Sequence, residues 1–303
     1  MTFARRGRDA LLGIQHRRQR VPACVKRGLR AGLCLLAAVA LAVWFAQLSG
    51  QQSLQLSAAK LPPPGMHLVF SDNFPGSALN PSKWETCYPW VLSSDGCTNY
   101  GNPELPEYEW YLPSQDEVSN GALHLVAAET PTSGTTQTGA RETFFWRSGI
   151  VTTYKSVDFT YGYVSIQAHI ANGNGMWSAL WLAPVSEAGV PEIDIAETWG
   201  AGTASTWLGF YLHLAEGIRP FRQIHVKGLA KGWHTFAFNW APSSLTWYLD
   251  GVQMYNYTGP GIPQIPMYFL ANLAVYKNLG TPQTPAMQAE DSFDIRSVQI
   301  YQH

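Results

Sequence analysis

Three acids fall within one short stretch, Pro191-Glu192-Ile193-Asp194-Ile195-Ala196-Glu197, and they alternate with apolar residues through position 195. Such alternation marks a strand with one polar and one apolar face. Strict period two would turn Glu197 away from Glu192, so the spacing predicts a one-residue β-bulge near Ala196 that returns it to the acidic face. Three carboxyls on one face repel one another, and at least one should keep its proton near neutrality. That arrangement suits cleavage of a glycosidic bond with retention. One carboxylate attacks, and a second with raised pKa gives and later takes a proton, the two standing about 5–5.5 Å apart. A solvated acidic strand or half of a calcium site would use the same residue types. Neither accounts for the apolar anchors Ile193 and Ile195 or for the aromatics nearby.

Those aromatics precede the acids in Asn174-Gly175-Met176-Trp177-Ser178-Ala179-Leu180-Trp181-Leu182-Ala183-Pro184. A strand here puts Trp177, Ala179 and Trp181 on one face, with the two indoles ~13 Å apart along it. Two indoles beside an acidic strand predict a stacking platform for sugar rings, and the alternative for each is core filling. Trp199, two residues past Glu197, is expected in the wall of the same cleft.

The elements that must position these residues are legible as short runs punctuated by Gly, Pro, Asn and Asp. They recur at 67–70, 122–127, 149–153, 162–170, 177–182, 192–197, 207–213, 233–240, 245–249, 267–274 and 293–301. Helical periodicity is nearly absent, so the pattern predicts an all-β sandwich occupying one domain from 67 to 303. Twelve Trp, fourteen Tyr and thirteen Phe supply enough apolar area to exclude disorder.

Charge is distributed unevenly. Residues 1–30 hold nine of the twenty Lys and Arg and one acid, which leaves eleven bases and twenty acids for the remainder. An acidic body argues against nucleic acid as a partner. The basic segment 1–30 precedes an apolar run at 31–48, the order expected of a signal-anchor or a signal peptide that sends the following chain across a membrane. Residues 49–66, with Leu61-Pro62-Pro63-Pro64-Gly65, then read as a stiff linker. The expected location is therefore outside the cytoplasm, membrane-anchored if the run is uncleaved and secreted or periplasmic if it is cleaved. Beyond the apolar run only Cys87 and Cys97 remain, and in an oxidising compartment they predict a disulfide closing a small loop. No further ligands stand at metal spacing, so no metal and no cofactor is expected, and a structural calcium ion is not readable from these residues.

The ordered set of motifs resembles glycoside hydrolase family 16, the laminarinase and β-glucanase family. Its bulged E-[apolar]-D-x-x-E signature corresponds to Glu192-Ile193-Asp194-Ile195-Ala196-Glu197. The likeness extends through Phe70-Ser71-Asp72-Asn73-Phe74, Trp84, Ser148-Gly149, Tyr161-Gly162 and Gly175-x-Trp177-x-x-x-Trp181. It continues in Trp233-His234-Thr235-Phe236-x-x-x-Trp240, Trp247-Tyr248-x-Asp250-Gly251, Pro266-Met267-Tyr268 and Asn272-Leu273-Ala274. The resemblance implies a concanavalin-like β-jelly-roll with a cleft across its concave sheet, and retaining endo-hydrolysis of a β-glycan, with β-1,3 or mixed β-1,3-1,4 linkages favoured. By position it implies Glu192 as nucleophile, Glu197 as acid/base and Asp194 as the residue that tunes them. It places His213 where family members often carry a histidine near the acid/base, a satisfied structural histidine being the alternative. It also places Asn102 near the family's asparagine before the cleft.

Three departures from the family pattern are expected in or beside the cleft. Trp177-Ser178-Ala179 replaces the usual Trp-Pro-Ala, Ser165-Ile166-Gln167 replaces Glu-x-Arg, and Tyr276-Lys277 replaces Gly-Gly. A transglycosylase, an exopolysaccharide-processing glycanase or an inactive carbohydrate-binding jelly roll would share the fold, and the intact acid triplet favours an enzyme.

Overall fold

The computed structural model describes residues 62–90, 92–93, 96–97, 99–100, 107–135, 140–186, 189–200, 205–276 and 290–303. The segments 1–30 and 31–48, most of the 49–66 linker and Asn102 lie outside them. Among the described residues no helix is long and apolar enough to cross a membrane.

Among the described residues, regular structure is almost wholly β. A sheet of six described strands runs in the order Ile150–Thr152, Met267–Val275, Met176–Pro184, Glu192–Trp199, Ser205–Leu214 and Gly217–Lys227, with every pairing antiparallel. We call Met176–Pro184 the tryptophan strand and Glu192–Trp199 the acid strand. A larger sheet packs against this one. Its central strands include His234–Ala241, Gly162–His169, Glu290–Gln302 and Ala122–Ala128.

Alternation builds the core between the sheets. Val164, Ile166 and Ala168 from the larger sheet meet Leu180, Leu182, Ile193, Ile195, Phe210 and Phe269 from the smaller one in a single apolar cluster. Each fully buried Leu, Ile or Phe contributes about 1.5–3 kcal/mol. Met267–Val275 is buried on both faces: Phe269, Ala271 and Leu273 point into this core, while Tyr268 and Leu270 join a second cluster with Tyr111 and Trp181 on the outer face. That outer face, opposite the core, also carries the acids.

Several strands escaped the sequence pattern: the short Glu109–Tyr111, Asp116–Ser119, Thr132–Thr135, Arg141–Phe144 and Trp146–Ser148, and the longer Gly217–Lys227 and Val252–Tyr257, which each lie at a sheet edge. An edge strand has one unpaired side and mostly exposed side chains, so it needs no clean apolar alternation. It also tolerates Pro220, whose missing N–H would break an interior ladder.

Two of the three expected departures lie elsewhere. Ser165 and Gln167 alternate with the core residues Val164 and Ile166, so they sit on the outer face of the larger sheet, away from the acids. Ser178 alternates with Trp177 and Ala179. Its hydroxyl is buried and accepts the Ala171 N–H at 3.2 Å on the inner side. Among the described departure residues only Tyr276 reaches the acid-bearing face, edge-on to Trp177 with ring centroids 5.9 Å apart, and Lys277 lies outside the described residues.

Candidate active site

On the acid strand Glu192 pairs with His213, Asp194 with Tyr211 and Glu197 with Gly209. Gly209, Tyr211 and His213 alternate along Ser205–Leu214 and so share a face, which means their three acidic partners share it too. Ile195 and Ala196 together oppose Phe210 alone. This is the bulge the spacing predicts, and both of its residues turn into the core at 1% and 2% exposure.

A bulge interrupts the ladder and leaves backbone groups to be satisfied by other means. The Asp194 carbonyl accepts the indole N–H of Trp247 at 2.8 Å. Trp247 is fully buried and comes from Ser244–Leu249 of the opposite sheet, so a core residue of one sheet holds the kink in the other. Trp247→Phe should leave that carbonyl unpartnered and cost about 1–3 kcal/mol. The expected fall in melting temperature is about 2–4 °C per kcal/mol for a domain of this size, accompanied by a lower kcat because the Asp194 side chain rides on the same peptide. Unchanged melting and turnover would remove Trp247 from this role.

The acids form one electrostatic set. His213 Nε2 lies 2.8 Å from Asp194 Oδ2 and 3.5 Å from Glu192 Oε1. Burial raises the Asp194 pKa, and His213 offsets part of the rise. Glu192 is pushed up to about 8, first by burial and then by the neighbouring Asp194 charge, with His213 pulling the other way. Glu197 is driven well above the ordinary carboxylate range by burial and by Asp194 and Glu192, and Glu107 adds to this. Burial pulls His213 down, but Asp194 and Glu192 together more than offset it, and its pKa is raised. The set therefore favours retaining protons near neutrality. The resemblance places His213 near the acid/base, whereas the register sets it opposite Glu192 and its side chain against Asp194.

Glu197 has its own surroundings. Burial raises the Tyr211 phenol, and the Glu197 charge adds to the rise. Gly209 makes room for that ring, since a Cβ there would lie 2.4 Å from Tyr211 Cε2 and 2.5 Å from its Oη. The Trp177 indole N–H lowers the Glu197 pKa in part, yet it is buried without a partner at hydrogen-bond geometry. Trp177 stacks on Trp199 with centroids 5.9 Å apart and planes at 29°, and both are half-buried. Trp199 in turn meets Tyr211 edge-on at 6.2 Å.

Trp181 differs from the open platform expected of it. It is 8% exposed, its Nε1 donates to Asn272 Oδ1 at 2.8 Å, and Tyr88 and Trp90 pack against it at 5.9 and 6.4 Å. Asn272 Nδ2 passes the connection on to the Tyr111 hydroxyl at 2.9 Å.

Sequence reasoning missed a second bank of groups. Glu109 is fully buried, and its Oε2 accepts the backbone N–H of Val275 at 2.8 Å and of Tyr108 at 3.1 Å. Burial pushes Glu109 up to about 7. Burial also raises Tyr88, as do the charges of Glu107, Glu109 and Glu192, which places this bank beside the acid strand. The signal was present in Glu107-Tyr108-Glu109-Trp110-Tyr111, where positions 107, 109 and 111 share a strand face.

Among the described residues one group places single ligand atoms close enough for a metal ion, Glu192, Asp194 and His213, within 4.8 Å of one another. A cation there would displace the His213–Asp194 hydrogen bond. Without a cation the group is a proton-sharing set of two carboxyls and an imidazole.

Comparison with known proteins agrees with this geometry. Residues 109–287 match the sequence profile of Glycosyl hydrolases family 16. Endo-1,3-1,4-beta-glycanase ExsH of Rhizobium meliloti is 31% identical over 228 residues, covering 71% of this chain and 47% of that protein. Glucan endo-1,3-beta-glucosidase A1 of Niallia circulans is 27% identical over 270 residues, covering 78% of this chain and 38% of that protein. The chain thus spans about half the length, or less, of these curated relatives. The laminarinase catalytic domain from Thermotoga maritima shares the fold, with a TM-score of 0.63 and 22% identity over 78% of this chain and 98% of that one.

Proposed function

Because the chain belongs to glycosyl hydrolases family 16, we propose that it is a retaining endo-β-glycanase acting on β-1,3 or mixed β-1,3-1,4 glucan. The observation that carries the reading is the bulge, which sets Glu192, Asp194 and Glu197 on one face. The activities named for the Rhizobium meliloti and Niallia circulans relatives support the substrate class.

In the first step the Glu192 carboxylate bonds to the anomeric carbon while the bond to the leaving oxygen breaks, and Glu197 gives that oxygen its proton. In the second step Glu197 takes a proton from water as the water oxygen replaces Glu192 on the same carbon. Asp194 and His213 hold the Glu192 carboxylate in place and tune its charge. Two inversions return the β configuration. Proton NMR early in the hydrolysis of laminarin or mixed-linkage glucan should show the β-anomer first, and an α-anomer appearing first would reject the mechanism.

The same reading includes export. The nine bases ahead of the apolar segment 31–48 support transfer of the domain across a membrane, whether the segment stays as an anchor or is cleaved. A bridge between Cys87 and Cys97 fits that compartment, and its support is that Cys87 is disulfide-bonded.

A further inference from the structure

We infer that Trp207 and His225 form a distal subsite that stacks on a neutral pyranose unit of the glycan chain whose cleavage occurs at Glu192 and Glu197. The inference rests on the glycanase reading and adds a binding position to it. Its basis is a row of aromatic residues in cross-strand register. Trp177 pairs with Trp199, Trp199 with Trp207, and Trp207 with His225, so the row crosses four consecutive strands of the six-stranded sheet. Trp207 stands two residues from Gly209 and four from Tyr211 on the same strand, which puts it on the face that carries the acids.

The near end of the row is packed and the far end is open. Trp177 and Trp199 stack on each other beside Glu197. Trp207 is 42% exposed and lies against the His225 ring, with centroids 3.5 Å apart and planes at 43°. His225 is exposed as well. The neighbours Thr206 and Leu208 are buried on the other face, so the core has no claim on the Trp207 indole. A large indole left in water, braced by a second ring and continuous with the catalytic row, is built to receive an apolar face. The C–H face of a pyranose supplies one.

Neighbouring strands stand ~4.8 Å apart, so Trp207 lies about 10 Å from Trp177 across the sheet. That exceeds one sugar unit, and the Trp207–His225 pair must meet a different unit from the one at Glu197. The glucan of the glycanase reading is uncharged, which suits a pair of stacking rings.

The test is the chain-length dependence of hydrolysis of laminari- and mixed-linkage oligosaccharides by the wild type, Trp207→Ala and Trp207→Phe. Aromatic stacking on a flat ring, taken by analogy with bases, corresponds to about tenfold or more in affinity. Trp207→Ala should therefore lower kcat/KM about tenfold more on long oligosaccharides than on the shortest, with melting unchanged and Trp207→Phe recovering part of the loss. Equal losses at every length would overturn the subsite. So would a wild-type dimer in sedimentation that Trp207→Ala dissolves, since the face beside the edge strand would then serve self-association. If the wild type cleaves none of these glucans, the glycanase reading fails separately. The subsite is then read by retardation of the proteins in gels containing each glucan, and a retardation indifferent to Trp207→Ala, or none at all, would overturn it too.

Discussion

Glu192→Gln should abolish turnover, with a fall in kcat on the order of 10⁶, the scale seen when a hydrolase loses its nucleophile. The amide has the shape of the carboxyl but cannot form the glycosyl ester. Folding should survive, and the sign of the pKa shift says why. Glu192 is raised to about 8, so the folded state favours its neutral form. The stability this contributes is fully present below the ordinary glutamate range and is lost as pH rises toward about 8. Glutamine carries no such loss, so the variant should melt at or above the wild-type temperature at pH 8 while remaining inactive. Kinetics on laminarin and a melting curve on the same preparation check both halves. Turnover within about tenfold of wild type would remove Glu192 as nucleophile.

Glu197→Gln should leave a different signature. A positioned general acid is worth about 10²–10⁴ in rate, so hydrolysis of unactivated glucan should fall by that range. An aryl glycoside with a good leaving group needs no proton, and its glycosyl-enzyme should still form and accumulate. Azide, which needs no general base, should then restore turnover and yield a β-glycosyl azide. The pH profile adds an independent reading. Activity of the wild type requires Glu192 ionised and Glu197 protonated, so it should rise with pH as Glu192 ionises and fall when Glu197 loses its proton. Burial and the Asp194 and Glu192 charges hold Glu197 well above the ordinary range, which sets the falling limb high. That limb should vanish in Glu197→Gln. Equal losses on both substrate types, with no azide rescue, would undo the assignment.

Much of this site was written in local spacing. The alternation through Glu192-Ile193-Asp194-Ile195 reads as a strand because period two is a property of the chain itself, and the break at Ala196-Glu197 reads as a bulge for the same reason. Buried strands such as Met176–Pro184 and Met267–Val275 were legible because their positions answer to the core. Edge strands such as Gly217–Lys227 were not, because an exposed edge imposes no such pattern. Only tertiary structure decided which groups meet across strands. Trp181 and Trp177 share a face, yet Tyr88 and Trp90, from a distant part of the chain, cover the first, while the second keeps its place beside Glu197. Trp247 supports the Asp194 carbonyl from the opposite sheet across 53 residues of sequence. Strand alternation is a local constraint, and it fixes which face a side chain takes. Sheet order and the packing of one layer on another set the neighbours on that face, and through burial and nearby charge those neighbours set where each carboxyl keeps its proton.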